Sequence, residues 1–319
     1  MVEDMWVALL STKASQYFAD LLVSYFDAVK FIPVERKSFG DGERYYRIGV
    51  EDRTEFMRRN AIVVGSIHSD DDIMELYRLG CTIAASGAQN LIFVLPFMGY
   101  STMERATKPG EVVTAKANIR LLSSIPRIGS GPIFFLLDLH TAGLIHYFEG
   151  GVMRFELLSE PVLVEAVREL GLSDFVFASA DLGRSKWVER YANTFGVDVA
   201  FIRKERVGDV TKALDVIGEV SGKVVVIYDD MIRSAGTLVE AAYAYFAKGA
   251  TEIYAVTSHL ALHGEHIAEK LRKGPFTKII ATNSHPMSQL PAVQGSEKFA
   301  IKDVSHIFAD AIRTAIGVH

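Results

Sequence analysis

The chain repeats itself. At a constant shift of 162 residues, Ile62-Val63-Val64 falls on Val224-Val225-Val226, Ala85-Ser86-Gly87-Ala88 falls on Ala247-Lys248-Gly249-Ala250, and Val94 falls on Val256. The same shift sets Phe39-Gly40-Asp41-Gly42-Glu43-Arg44 on Phe201-Ile202-Arg203-Lys204-Glu205-Arg206. Each match is weak alone, because apolar strands resemble one another, but one shift without a gap explains them all and points to a duplicated domain. Apolar runs end at Gly65, Pro96, Asp138, Ser179, Asp229, Ser258 and Thr282, with helical periods between them at 73–85, 114–124, 161–170, 185–195 and 238–248. Alternating strand and helix predicts an α/β fold of mostly parallel sheets with helices on both faces. We expect two domains, 1–150 and 151–319, divided near Gly150-Gly151. The last helix, about 304–316, can pack on either.

In such sheets ligands gather at the carboxyl ends of strands. The run VVVIYDDMIRSAGTL, residues 224–238, ends a buried strand in two acids and then starts a helix at Gly236-Thr237. Asp229 and Asp230 can hold sugar hydroxyls directly or through Mg²⁺, which prefers hard oxygen ligands. Ser234, Ala235, Gly236 and Thr237 can wrap a phosphate with backbone N–H groups at a helix N-terminus. An isolated acid pair reads as a helix cap. The full order of strand, acids, small-residue loop and helix favours a sugar-phosphate site. The first copy has lost it: Asp230 faces His68, and Ser234 to Thr237 face Asp72-Ile73-Met74-Glu75, whose acids repel an anion.

Other strand ends carry chemistry. Asp138-Leu139-His140 can face a cleft, with His140 either a metal ligand, a phosphate contact or a histidine bonded to backbone. Asp181 either links to a metal or caps the next helix. Lys204-Glu205-Arg206 begins a loop: either a solvated charged face or a pair of cations closing on a transferring phosphoryl group. Phe39, Asp41 and Glu43 form a hairpin turn or a nucleobase contact. The net charge of −5 gives no broad basic surface for nucleic acid. The single cysteine, Cys81, excludes an internal disulfide and fits a reducing compartment. No segment has transmembrane length, so a soluble cytoplasmic protein is expected.

Together these residues resemble the ribose-phosphate pyrophosphokinase family, through FGDGE, the stretch 96–116, DLH, SADLG, RKER, DDMIRSAGT and TNSHP at 282–286. The resemblance implies two tandem domains of phosphoribosyltransferase type. It implies attack of the C1 hydroxyl of ribose 5-phosphate on the β-phosphorus of Mg-ATP, with AMP leaving. It assigns the 5-phosphate to Ser234–Thr237 and the ribose hydroxyls to Asp229 and Asp230. It assigns Mg²⁺ to His140 and Asp181, the transferring group to Lys204 and Arg206, and adenine to Phe39, Asp41 and Glu43 from a neighbouring subunit. It implies dimers within hexamers.

The chain also departs from the family pattern. After Tyr100 it carries Ser101-Thr102-Met103-Glu104-Arg105, so Thr102 replaces a triphosphate-binding arginine and Arg105 is the candidate substitute in the nucleotide loop. Arg233-Ser234 replaces Asp-Thr and adds a cation to the sugar-phosphate site. SADLGRSKW lacks the usual proline and second glycine. The segment 104–132 resembles the divergent class II synthetases more than the common class, which implies independence of phosphate activation and a loose choice of nucleotide donor. Two rival readings stand beside this one: a phosphoribosyltransferase, and a non-catalytic regulatory relative.

Overall fold

The central strands of each sheet are built from runs of Val, Ala, Ile, Leu and Phe that are buried on both faces, as parallel strands covered by helices must be. In the computed structural model residues 6–207 and 210–317 are described; the side chains at 53 and 204–214 lie outside that description. Contacts divide the chain into two units, one running to Leu158 and resuming at Ser305, the other covering Ser159–Val304.

The first unit opens with β1 (Val7–Ser11), α1 (Gln16–Val23) and β2 (Val29–Phe31), then an antiparallel hairpin of β3 (Val34–Ser38) and β4 (Arg44–Ile48). β5 (Asn60–Val64), α2 (Asp70–Ala85), β6 (Asn90–Leu95), α3 (Thr114–Ser123), β7 (Ile133–Leu137) and β8 (Met153–Leu157) follow. The sheet runs β2-β1-β5-β6-β7-β8, all parallel. Phe93 and Phe134 stack across β6 and β7 at 4.5 Å. β8 follows Gly150-Gly151, and its parallel pairing with β7 keeps it in the first sheet.

The second unit contains α4 (Glu160–Arg168), β9 (Phe175–Ser179), α5 (Ser185–Phe195), β10 (Val199–Val207) and β11 (Val210–Ile217). It continues through β12 (Val224–Met231), α6 (Gly236–Ala247), β13 (Glu252–His259), α7 (Glu265–Lys273), β14 (Lys278–Thr282), α8 (Pro291–Gln294) and β15 (Phe299–Lys302). Its sheet runs β11-β10-β9-β12-β13-β14-β15. The last helix, α9 (Ser305–Ile316), belongs to the first unit, where Phe308 meets Phe18 of α1 edge-on at 5.5 Å.

The two parallel cores have one plan: β1-β5-β6-β7-β8 matches β9-β12-β13-β14-β15. The shift of 162 carries β5, α2 and β6 onto β12, α6 and β13. Beyond β6 it fails, because β7 begins at Ile133 while its counterpart β14 begins at Lys278, so the second copy is shorter there. The loop expected at Lys204-Glu205-Arg206 is instead strand. β10 pairs with β9 only at Val199 and Ala200, then continues as an antiparallel arm with β11, Lys204 opposite Leu214 and Arg206 opposite Thr211, with a bulge between Glu205 and Arg206.

Candidate active site

Register brings the acids of the second unit together. Tyr228 of β12 is paired with Ser179 of β9, so Asp229-Asp230 and Ala180-Asp181 continue from two neighbouring strands at one level. Asp181 then turns the chain: its carboxylate accepts from the Gly183 amide at 2.8 Å and caps the 3₁₀ turn Leu182–Arg184. Asp181 is therefore a cap, and its exposed side chain keeps acceptor capacity for another partner.

Asp230 is buried, at 4% exposure, and Asp229 is half-buried, with its Oδ1 accepting from the Asp230 amide at 3.0 Å. Burial, the Asp230 charge and the bond with Asp230 push the Asp229 carboxyl well above the usual carboxylate range, while Arg184 pulls it back. Arg184 spans the pair: Nη2 donates to Asp230 Oδ1 at 2.7 Å and Nε lies 3.6 Å from Asp229 Oδ1. The sequence reading missed this arginine as a site residue. Its only signal was the cation standing where a second glycine was absent.

After the acids, Ile232 and Ala235 are buried while Arg233, Ser234 and Thr237 are exposed. Ala235 holds φ 58°, a left-handed conformation immediately before α6. A left-handed residue at this junction turns successive amides toward one point, the geometry of an anion nest. No side chain caps α6, which leaves its first amides to a ligand or water. Tyr245 of α6 fixes the helix by donating to the Ser179 carbonyl at 2.8 Å; burial pushes its phenol up, so it stays a donor. Lys270 Nζ lies 4.0 Å from where a Cβ on Gly236 would sit, a second cation beside Arg233 that the sequence reading did not single out.

The first unit explains its own lost loop. Ser69 caps α2, and Asp72 takes bonds from Ser69 at 2.6 Å and from His68 Nδ1 at 2.6 Å. Burial works against the Asp72 carboxylate, but the His68 and Ser69 bonds outweigh it and lower its pKa. That helix start is filled by the chain's own anions.

The nucleotide-loop candidates follow β6. Tyr100 has φ 60° and its hydroxyl donates to Asp70 at 2.6 Å; burial and Asp70 push the phenol up to about 12. Met103 closes a turn onto the Tyr100 carbonyl at 2.8 Å, with Thr102 inside it. The Glu104 carbonyl accepts from Tyr147 at 2.6 Å, and Glu104 lies 3.5 Å from the exposed Arg105. Phe39, Asp41 and Glu43 form the tip of the β3–β4 hairpin, with Phe39 N donating to Glu43 O at 2.9 Å and Glu43 N to Asp41 Oδ1 at 3.1 Å. Phe39 is 51% exposed. These candidates lie in the first unit and the acid pair in the second.

Asp138 follows β7 with φ 39°, and half-buried His140 comes two residues later; the Leu139 amide donates to Glu156 at 2.9 Å. Strained non-glycine backbone therefore occurs at Tyr100, Asp138 and Ala235, in three of the candidate loops. Lys204 and Arg206 are located by backbone only. The TNSHP stretch is structural: Thr282 donates to the Ser258 carbonyl at 2.6 Å, and Asn283 ties Asp303 at 2.6 Å and the Val304 amide at 3.0 Å.

Among the described residues no group of three or more His, Cys, Asp or Glu could hold a metal ion by itself. Mg²⁺ does not need such a cage, since it keeps waters and shares substrate phosphates, taking one or two carboxylates from the protein. Asp181 fits as a hard donor. The softer His140 nitrogen would fit such an ion less well than an oxygen donor.

A family model described as the N-terminal domain of ribose phosphate pyrophosphokinase matches residues 7–125, and one described as the phosphoribosyl synthetase-associated domain matches residues 190–317. A ribose-phosphate pyrophosphokinase of Gloeobacter violaceus is 29% identical over 318 residues, 98% of this chain and 91% of the relative. Another, of Caldanaerobacter subterraneus subsp. tengcongensis, is 31% identical over 289 residues, 89% of this chain and 87% of the relative. In fold the chain resembles phosphoribosylpyrophosphate synthetase from Mycobacterium smegmatis, with a TM-score of 0.85 at 22% identity over 98% of this chain and 99% of that one.

Proposed function

The chain belongs to the ribose-phosphate pyrophosphokinase family, and from that premise we propose that it moves the β,γ-diphosphoryl group of Mg-ATP to the C1 hydroxyl of ribose 5-phosphate, giving 5-phosphoribosyl 1-diphosphate and AMP. One observation carries the reading: an acid pair at a strand end leads directly into a left-handed turn and an uncapped helix start. That sequence of features suits one ligand with a hydroxylated ring and a phosphate.

The 5-phosphate is held by the amides of Ser234 to Thr237, with Arg233 beside them. Asp229 and Asp230 accept from the ribose hydroxyls and orient the sugar. The C1 oxygen then forms a bond to the β-phosphorus and loses its proton. The bridging bond between the α- and β-phosphorus breaks, and its oxygen leaves with AMP. Lys204 and Arg206, on the β10 arm, offset charge on the transferring group. Thr102, Met103, Glu104 and Arg105 take the triphosphate. Phe39, Asp41 and Glu43 take the base of a nucleotide bound to a neighbouring subunit, a role that fits an aromatic ring left in solvent at a hairpin tip. Asp181 and His140 would serve the Mg²⁺ ions, which would neutralise phosphate charge. Alignment of the two substrates supplies roughly 7–11 kcal/mol of the barrier.

A dimer-based homo-oligomer in the cytoplasm belongs to the same proposal. Among the described residues no helix is long and apolar enough to cross a membrane. A mass-resolved assay with ribose 5-phosphate, Mg²⁺ and each nucleoside triphosphate tests the reading and the donor choice together. AMP and phosphoribosyl diphosphate from ATP are expected. Base-dependent release of pyrophosphate from phosphoribosyl diphosphate, without AMP from ATP, overturns it in favour of a transferase.

A further inference from the structure

Two adjacent carboxylates at a sugar site need a counter-charge, or each raises the cost of ionising the other. A bound divalent cation can supply it. This chain already contains one. Arg184 reaches both Asp229 and Asp230, and its side chain is 14% exposed against 6% for Asp230, so the contact is a fixed, largely desolvated pair rather than a fluctuating surface one. The placement is built in. Asp181 caps the 3₁₀ turn through the Gly183 amide, Ser179 Oγ donates to the Asp181 carbonyl, and the turn delivers Arg184 to the start of α5.

We propose that Arg184 is the resident counter-cation of the acid pair, so that Asp229 and Asp230 take the pentose hydroxyls directly and ribose 5-phosphate binds without a divalent ion. The inference rests on the pentose-phosphate reading above. The chemistry leaves room for it. The guanidinium approaches Oδ1 of each acid and the Asp230 amide donates to Asp229 Oδ1, while a carboxylate offers about four acceptor sites on its two oxygens, so a sugar diol can share the pair. A planar guanidinium is charged at every working pH and does not dissociate, which a metal ion can do. The divalent ion is then needed for the nucleotide phosphates alone. Arg184 is a positioning residue: it acts on the sugar through the two acids.

The test is calorimetric binding of ribose 5-phosphate to the full chain, in millimolar Mg²⁺ and in excess chelator, with no nucleotide. For the parent protein the two Kd values should agree within threefold. Arg184→Ala should bind at least tenfold more weakly in chelator than in Mg²⁺, because the ion must replace the lost charge. Arg184→Lys, which keeps a cation, should restore most of the metal-free affinity. An arginine that only staples the turn to β12 would lower the melting temperature when removed and leave the metal ratio alone. A parent protein that binds the sugar phosphate tenfold better with Mg²⁺, or an Arg184→Ala variant with an unchanged ratio, overturns the inference. Should Arg184→Ala not fold, the parent comparison decides alone. Absence of binding under both conditions sinks the pentose-phosphate reading itself, a separate result.

Discussion

Asp229 carries a conflict between stability and use. Burial and Asp230 raise its carboxyl, so the folded chain holds a proton that the unfolded chain has released. By linkage, folding stability is then lost as pH rises from about 4, the unfolded carboxylate value, through the folded value. Asp229→Asn removes that loss. The variant should be more stable than the parent by about 1 kcal/mol near pH 7, with the gap closing near pH 4. Urea melts at the two pH values check this, and equal destabilisation at both would contradict it. Lys204→Ala or Arg206→Ala should lower turnover by about 10³-fold or more with little change in substrate binding. Near-normal kcat in both variants removes them from the mechanism. At this scale the acids and the small-residue loop were legible, because one contiguous run spells them. Arg184 was not, because its partners lie on another strand and only register joins them.

Single elements set the loops by backbone strain and close approach. Ala235 holds a left-handed conformation that costs a non-glycine residue roughly 1 kcal/mol. Ala235→Gly should keep activity and stability within about 1 kcal/mol, while Ala235→Val, whose branched side chain resists positive φ, should lose about 2 kcal/mol and weaken sugar-phosphate binding. Equal melting curves for the two variants would show that the turn does not depend on this conformation. Gly99 is tighter: a Cβ there would sit 2.2 Å from the Ile67 carbonyl oxygen, which accepts the Gly99 amide at 2.7 Å. Gly99→Ala should therefore cost about 2 kcal/mol or more and raise the KM for ATP by displacing the Tyr100–Arg105 loop. Denaturant melts and ATP titrations measure both, and an unchanged KM would uncouple the loop from the nucleotide. Helices α2 to α6 and the buried strands β5, β6, β7, β9, β12, β13 and β14 were readable from their periods, while β1, α1, α7 and α8 were not singled out. The β10–β11 arm was not, since the apolar run stops at Ile202 and the ladder beyond it depends on pairing with 210–217.

At the scale of the molecule, the duplication was visible because two central strands and the helix after the first kept their spacing. The home of α9 was not visible. Its apolar face suits many surfaces, and the Phe18–Phe308 contact joins positions at opposite ends of the sequence. The two units have one sheet plan and opposite fates at the same helix start: α2 is closed by His68, Ser69 and Asp72, while α6 is left open after Ala235. The proposed reaction is defined by where ATP is cut. The most direct measurement uses ATP labelled with ³²P at the α or the γ position, together with ribose 5-phosphate and Mg²⁺. The γ label should appear in the phosphoribosyl product and the α label in AMP, with no ADP formed. The γ label in a ribose bisphosphate alongside labelled ADP, or no transfer to the pentose at all, would contradict it.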